Sequence, residues 1–327
     1  MQVMRMPRSL DLNVTTLCNL RCSYCSHFGS ADDVEGDLPT DEWVRFLEES
    51  GRAKVMDVCL SGGEPFLRKD IEQIIRAIIS NRMRFSILSN GTLIDGNMAA
   101  FLAGTGRCNG VQVSLDGSTS AAHDACRGGG SFDRAVRGLQ NLKTWGVPVT
   151  VRVTIHRHNL VDLTSIAHFL LEELGLPSFS TNSAAYMGLC KENVENLQLT
   201  AEERTEVMER LVSLNLYYHH RISATAGPLA EAYLWTEMER ARLERKTPSP
   251  GRGYLLACGG VLSKMAVRPD GAMVPCSHLS HIELGCINCD QLLKVWQEHP
   301  ELQRLRQRVR TPLSEFEFCR DASIFRI

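Results

Sequence analysis

Residues 18–25 read "CNLRCSYC", placing three thiols, Cys18, Cys22 and Cys25, within eight positions. Clustered cysteines at such short spacing are explained best as metal ligands. Thiolates suit zinc or iron–sulfur clusters. A structural zinc site is normally closed by four ligands, and His27 is the nearest candidate for a fourth. With three cysteines alone one coordination position stays open, and a four-iron cubane held that way keeps one iron free for another molecule. The octet directly follows a short β-rich run, "SLDLNV" (9–14), so it sits at the carboxyl end of a first strand.

Working outward, β-rich runs alternate with helical patterns. Five further strands are expected: "KVMDVCLSG" (54–62), "RFSILSN" (84–90), "GVQVSLDG" (110–117), "VPVTVRVTI" (147–155) and "PSFSTNS" (177–183). Between them lie helices at 40–50, with Thr40 placed to cap it, at 69–80, with Ile71, Ile74, Ile75 and Ile78 on one face, at 131–146, ending at Gly146, and at 162–175. Repeated βα units imply parallel strands with helices outside, and chemistry carried at the strands' carboxyl ends. After residue 190 two longer helices are expected at 200–220 and 231–246. A linker, "TPSPGRG" (247–253), comes next, and then a hairpin over 264–276 turning at Pro269-Asp270-Gly271. The domain organisation read from this is a barrel at 1–225, a linker helix at 226–253 and a small C-terminal region at 254–327.

The 327 residues are 43% hydrophobic and 23% charged, with a formal net charge of −2, an ordinary globular composition. Basic residues are dispersed, which gives no case for nucleic acid or an anionic membrane. No stretch approaches the about 18 apolar residues of a membrane span, and the start has no signal-peptide core, so a cytoplasmic protein is expected. In a reducing compartment the twelve cysteines are not expected to form disulfides.

With strand, octet and βα repeat together, the chain resembles the radical S-adenosylmethionine (SAM) superfamily. The motif CxxxCxxC is followed by "SGGEP" (61–65), "LSNG" (88–91), "VSLDG" (113–117) and "HDACRGGGSF" (123–132), all in the family's order. The resemblance covers about residues 9–190. It implies an α/β fold, a partial (β/α)6 TIM-like barrel, and a [4Fe-4S] cluster on Cys18, Cys22 and Cys25. That cluster reductively cleaves SAM to a 5′-deoxyadenosyl radical, which abstracts hydrogen from a substrate. It also implies a cofactor site made of Gly62, Gly63, Glu64, Pro65, Ser89, Asn90, Ser114, Asp116, Arg127 and Asn182. Glycines let backbone approach a ligand, and a carboxylate pairs with its ammonium. Arg127 is the expected partner of its carboxylate.

"GAMVPC" (271–276) and "CDQLLKVWQ" (289–297) resemble a SPASM or shorter twitch extension, which carries auxiliary iron–sulfur clusters. One such cluster is expected on Cys258, Cys276 and Cys319. Ala322 stands where a further cysteine is usual, so the SPASM region is incomplete. Cys286 and Cys289, spaced CxxC, are alternative ligands. Cys59 and Cys108 read as isolated buried thiols, whereas Cys126 and Cys190 are candidate hydrogen donors. The resemblance favours a ribosomally made peptide as substrate, undergoing crosslinking, epimerisation or backbone excision. A separate leader-recognition protein and a flavodoxin or ferredoxin electron donor are the expected partners. Two alternatives stay open: a dehydrogenase or cyclase acting on a small metabolite, and a non-catalytic iron–sulfur scaffold.

Overall fold

A computed structural model describes residues 3–26, 36–244, 259–312 and 315–316. Among these, one sheet organises the chain. The six expected strands are β1 (Ser9–Asn13), β2 (Asp57–Ser61), β3 (Arg84–Ser89), β4 (Cys108–Ser114), β5 (Val149–Ile155) and β6 (Phe179–Ser183), and each pairs in parallel with the next. A short β7 (Ile222–Ala224) adds to β6. At the other edge β8 (Lys264–Val267) runs parallel to β1, and β9 (Ala272–Val274) and β10 (Gly285–Cys286) continue antiparallel. The expected hairpin therefore joins the barrel's own sheet, turning on Gly271 at φ +90°.

The two faces of this sheet differ in chemistry. Leu10, Leu12, Val58, Leu60, Phe85, Ile87, Val111, Val113, Val151 and Val153 are buried to within 1% exposure. They face the helices and form the main core with them. The alternate positions, which point to the concave inner face, are mostly polar: Asp11, Asn13, Ser61, Ser86, Gln112, Ser114, Arg152, Thr154, Ser180 and Asn182. Period-two alternation of the strand produces this division.

Helices α1 (Thr40–Arg52), α2 (Ile71–Ser80), α3 (Gly96–Gly104), α4 (Ser120–Arg127), α5 (Ser131–Thr144) and α6 (Leu163–His168) fill the crossovers. In α2, Ile71, Ile74, Ile75 and Ile78 are buried as their spacing predicts. α5 ends as expected, with Gly146 left-handed at φ +68°. The segment after His168 widens into a π turn, Phe169–Glu173. Further on, the helix Ala201–Tyr217 begins with a Thr200/Glu203 capping box, and the helix Pro228–Leu243 starts three residues earlier than its pattern suggests. The linker at 247–253 lies outside the described residues.

One local expectation is corrected. Thr40 does not cap α1. Pro39 occupies the cap position, and the Thr40 hydroxyl donates to the Asp70 carboxylate instead. The stretch around Arg127 forms α4, capped by Thr119, with Arg127 as its last residue.

Arg68 shows how the strand ends are tied together. Its guanidinium donates to Val14 O at 2.6 Å and Leu38 O at 3.0 Å, and pairs with Asp70 at 2.7 Å. The hydrogen bond from Arg68 outweighs partial burial and holds the Asp70 carboxyl down at about 2. A depressed carboxyl stabilises the fold above its unfolded pKa, and that contribution is lost as pH falls through the folded value. Asp70→Asn is therefore expected to cost about 2 kcal/mol at pH 7. The difference from wild type should shrink between pH 4 and pH 2, as checked by denaturant unfolding across that range.

Candidate functional site

The site is assembled at the carboxyl ends of β1 to β6. The loop leaving β1 is fixed before it reaches its cysteines. Thr15 Oγ1 and Thr16 N donate to Asp37 at 2.5 and 2.7 Å. Gly63 N donates to Thr15 O at 2.8 Å and Glu64 N to Leu17 O at 2.7 Å. A Cβ on Gly63 would lie 2.1 Å from Leu17 O, and one on Gly62, at φ +135°, would lie 2.4 Å from Thr15 O. The two glycines thus permit the cysteine loop to dock on the end of β2.

Cys18, Cys22 and Cys25 are half-buried, and burial first, with neighbouring thiols adding to it, raises the Cys18 and Cys22 thiols. Burial is the larger effect, and it pushes Cys22 up to about 12 despite the nearby Arg127. The thiolate form that ligation needs is therefore set by bound metal rather than by the protein. Among the described residues no three His, Cys, Asp or Glu side chains converge on a single-ion position. A cluster asks for something different, since its thiolates bind separate irons. Three thiols in one loop at the head of a parallel sheet fit that donor set.

Glu64 is wholly buried, and burial raises its carboxyl to about 7 against the hydrogen bonds it accepts. Those come from Asn90 N at 2.7 Å, Ser89 Oγ at 2.8 Å and Phe66 N at 3.2 Å. The carboxylate thus knits β2 to β3, and the half-buried Gly62 and Gly63 present backbone at the strand end. Pro65 is buried beneath them, opening a short 3-10 turn. Asn90 reaches back to the cluster loop, with Nδ2 2.9 Å from Asn19 Oδ1 and 4.0 Å from Cys18 Sγ.

A second network centres on Asp116, which has no exposed surface. Oδ1 accepts from Thr154 N at 2.7 Å; Oδ2 accepts from Arg127 Nε at 2.5 Å and from the Tyr24 hydroxyl. Burial opposes ionisation, but the Arg127 guanidinium, together with the neighbouring His156 and His123, outweighs it and holds Asp116 below the usual carboxylate range. Arg127 lies over the Tyr24 ring, 5.4 Å from its centroid, with Nη1 4.0 Å from Cys22 Sγ. His123 Nδ1 accepts from Asp116 N at 3.1 Å, and burial lowers this imidazole to about 4, so it is neutral.

Ser114 and Asn182 lie on the inner face at the ends of β4 and β6, and Asn182 Oδ1 is buried without a hydrogen-bond partner. Cys126 and Cys190 are buried together with Tyr24 and Leu197 against the back of the cluster loop. Ser23 N donates to Cys126 O, and Leu189 N to Cys25 O, both at 2.9 Å. Cys126 Sγ is 3.9 Å from His156 Nδ1. Of the expected auxiliary ligands, Cys276 is described, at the end of β9; Cys258 and Cys319 lie outside the described residues, as does His27. Cys286 ends β10 and Cys289 sits on the turn after it, where burial first and then Cys289 push the Cys286 thiol up to about 11.

Sequence reading overlooked Tyr24, His156 and Arg152. Tyr24 stood inside the opening octet. His156 follows β5 directly and stacks on Tyr24 with ring centroids 5.3 Å apart. Arg152 stands between Val151 and Val153 of β5, at an alternate, inward position.

A radical SAM superfamily model matches residues 12–170, covering the cysteine loop, both glycine segments and the Asp116–Arg127 network. The chain belongs to the radical SAM superfamily. An iron–sulfur cluster-binding domain, SPASM, matches residues 258–321. This radical SAM chain is 27% identical over 326 residues to an AdoMet-dependent heme synthase of Oleidesulfovibrio alaskensis, covering 93% of this chain and 80% of that one. It is 37% identical over 163 residues to the mycofactocin maturase MftC of Mycobacterium tuberculosis, covering 49% and 41% respectively. Streptococcus suis SuiB bound to S-adenosylmethionine shares the fold at a TM-score of 0.75 and 18% identity, over 99% of this chain and 72% of that one. The radical SAM fold, an iron–sulfur cofactor and use of SAM are thereby established for this enzyme.

Removing one member of a buried ion pair costs about 3–5 kcal/mol, because the partner charge is stranded. Asp116→Asn is expected to lower stability by that order. Asp116→Asn combined with Arg127→Met should be less destabilised than the sum of the two single variants. Anaerobic denaturant unfolding of all four proteins measures the coupling.

Proposed function

We propose that this radical SAM enzyme modifies a ribosomally made peptide. The observation that carries the reading is the polar inner face of the sheet. Sites for flat apolar ligands are lined mainly by apolar and aromatic side chains. Here the lining offers serine, threonine, asparagine, glutamine and arginine, with Leu88 a half-exposed exception. Ser183 Oγ and His156 Nε2 are buried at the adjoining strand ends without hydrogen-bond partners. A peptide, dense in amide donors and acceptors, satisfies such a surface. The match to the MftC maturase over the barrel points the same way.

When bound and reduced, the cluster supplies the electron that cleaves SAM and so starts hydrogen abstraction. The chain's own residues do the positioning. Cys18, Cys22 and Cys25 would hold the metal; Gly62 and Gly63 would offer backbone to the cofactor's amino group; Ser114 and Asn182 would bind its remaining polar groups. Tyr24, locked to Asp116, fixes the loop that carries the ligands. Cys126 and Cys190 lie behind that loop, so a role as hydrogen donor requires the loop to give them access. Cys258, Cys276 and Cys319 are the proposed ligands of an auxiliary cluster. Flavodoxin or ferredoxin is the proposed electron source and the cytoplasm the proposed compartment; no helix among the described residues is long and apolar enough to cross a membrane.

A second reading, chemistry on a heme-type tetrapyrrole, is favoured by the length of the match to the heme synthase, 93% of this chain. Anaerobic incubation of the reduced enzyme with SAM separates the two. With a precursor peptide encoded beside the gene, 5′-deoxyadenosine and a peptide mass change are expected, and both should vanish in the Cys18/Cys22/Cys25→Ala triple variant. A changed absorption spectrum of added Fe-coproporphyrin III, with the peptide untouched, overturns the peptide reading.

A further inference from the structure

Among the described residues, Arg152 is a cation without a counter-charge inside the barrel. It lies on the inner face of β5, directly in register with Ser114 of β4 and Ser180 of β6. Its Nη2 donates to Gln112 Oε1 at 3.0 Å, a neutral amide. Its Nε is buried with no partner, and among the described residues no carboxylate pairs with it. Burial alone lowers its pKa, with no acidic neighbour acting against that effect. A part-buried guanidinium left in this state is costly, and its planar fork is shaped for a carboxylate.

Arg127, the sequence-based candidate for the cofactor's carboxylate, is already committed. Its Nε bonds Asp116 at 2.5 Å, and Nη1 faces Cys22 Sγ at 4.0 Å. Arg127 therefore serves the cluster loop, and the inner face is left with Arg152 as the arginine still lacking an anion. Ser114 beside it adds a hydroxyl, and Asn182, one row nearer the strand ends, adds an unpaired Oδ1 that suits the cofactor's donors.

We infer that Arg152, with Ser114, holds the carboxylate of SAM, while Arg127 holds the loop that carries the cluster. This division of labour does not depend on the substrate, so it stands or falls separately from the peptide reading.

The test compares SAM with decarboxylated SAM, using anaerobic equilibrium dialysis on the reconstituted full-length enzyme. Wild type prefers the carboxylated form. In Arg152→Gln that preference is expected to fall at least about fivefold, the loss of one charge-assisted hydrogen bond. Affinity for the decarboxylated form should change little. A smaller fall in preference overturns the assignment and means that the anion on Arg152 is another molecule. Should Arg152→Gln lose its iron or its cooperative unfolding, Arg152→Lys decides instead. It keeps the charge without the fork, and its preference is expected to fall at least about twofold; an unchanged preference overturns the inference.

Discussion

Asp116 is the point on which this site depends. A carboxylate shut off from water must have its charge matched inside the protein, because an isolated buried ion is prohibitively expensive. Here the match comes from three directions: Arg127 at the end of α4, Thr154 N in β5, and the Tyr24 hydroxyl from the cluster loop. Satisfying one carboxylate therefore fixes a helix, a strand and a loop against one another. The Asn159 side chain closes the arrangement, donating from Nδ2 to Asp116 O and Thr154 O at 2.9 Å each. The ligand loop gains a firm seat without using the thiols themselves, which stay available for metal.

The cysteine loop has a second seat on β2. Gly62 and Gly63 allow backbone contact that any side chain would block, and Glu64 anchors their far side by accepting from β3. The buried Glu64 carboxyl, raised to about 7, is a structural hub between strands.

Much of this was legible before the coordinates. The six strands announce themselves as short apolar runs, because one face of each is buried under helices. α2 and α5 show their buried stripes at helical spacing. Four features were not legible, each for a physical reason. α4 is short, carries no large apolar residue and is followed by three glycines, so its local pattern resembles a loop. The pairing of β8 with β1 joins residues some 250 positions apart, and nothing local encodes it. Arg127 could be picked out as functional, yet its partner could not be foreseen. Asp116 lies eleven positions earlier, and only the fold decides that it, and not a ligand, takes Nε. Arg152 was hidden for the opposite reason: in a valine-rich strand its inward placement matters only once the concave face is known to be polar.

The central claim is that Cys18, Cys22 and Cys25 hold a cluster with one iron left for SAM. Electron paramagnetic resonance of the reduced enzyme tests it most directly, with spectra recorded before and after SAM is added. The account predicts that the signal shifts with SAM, and that this SAM-sensitive signal is missing from the variant lacking the three thiols. A spectrum that SAM leaves unchanged in the wild-type enzyme would contradict it.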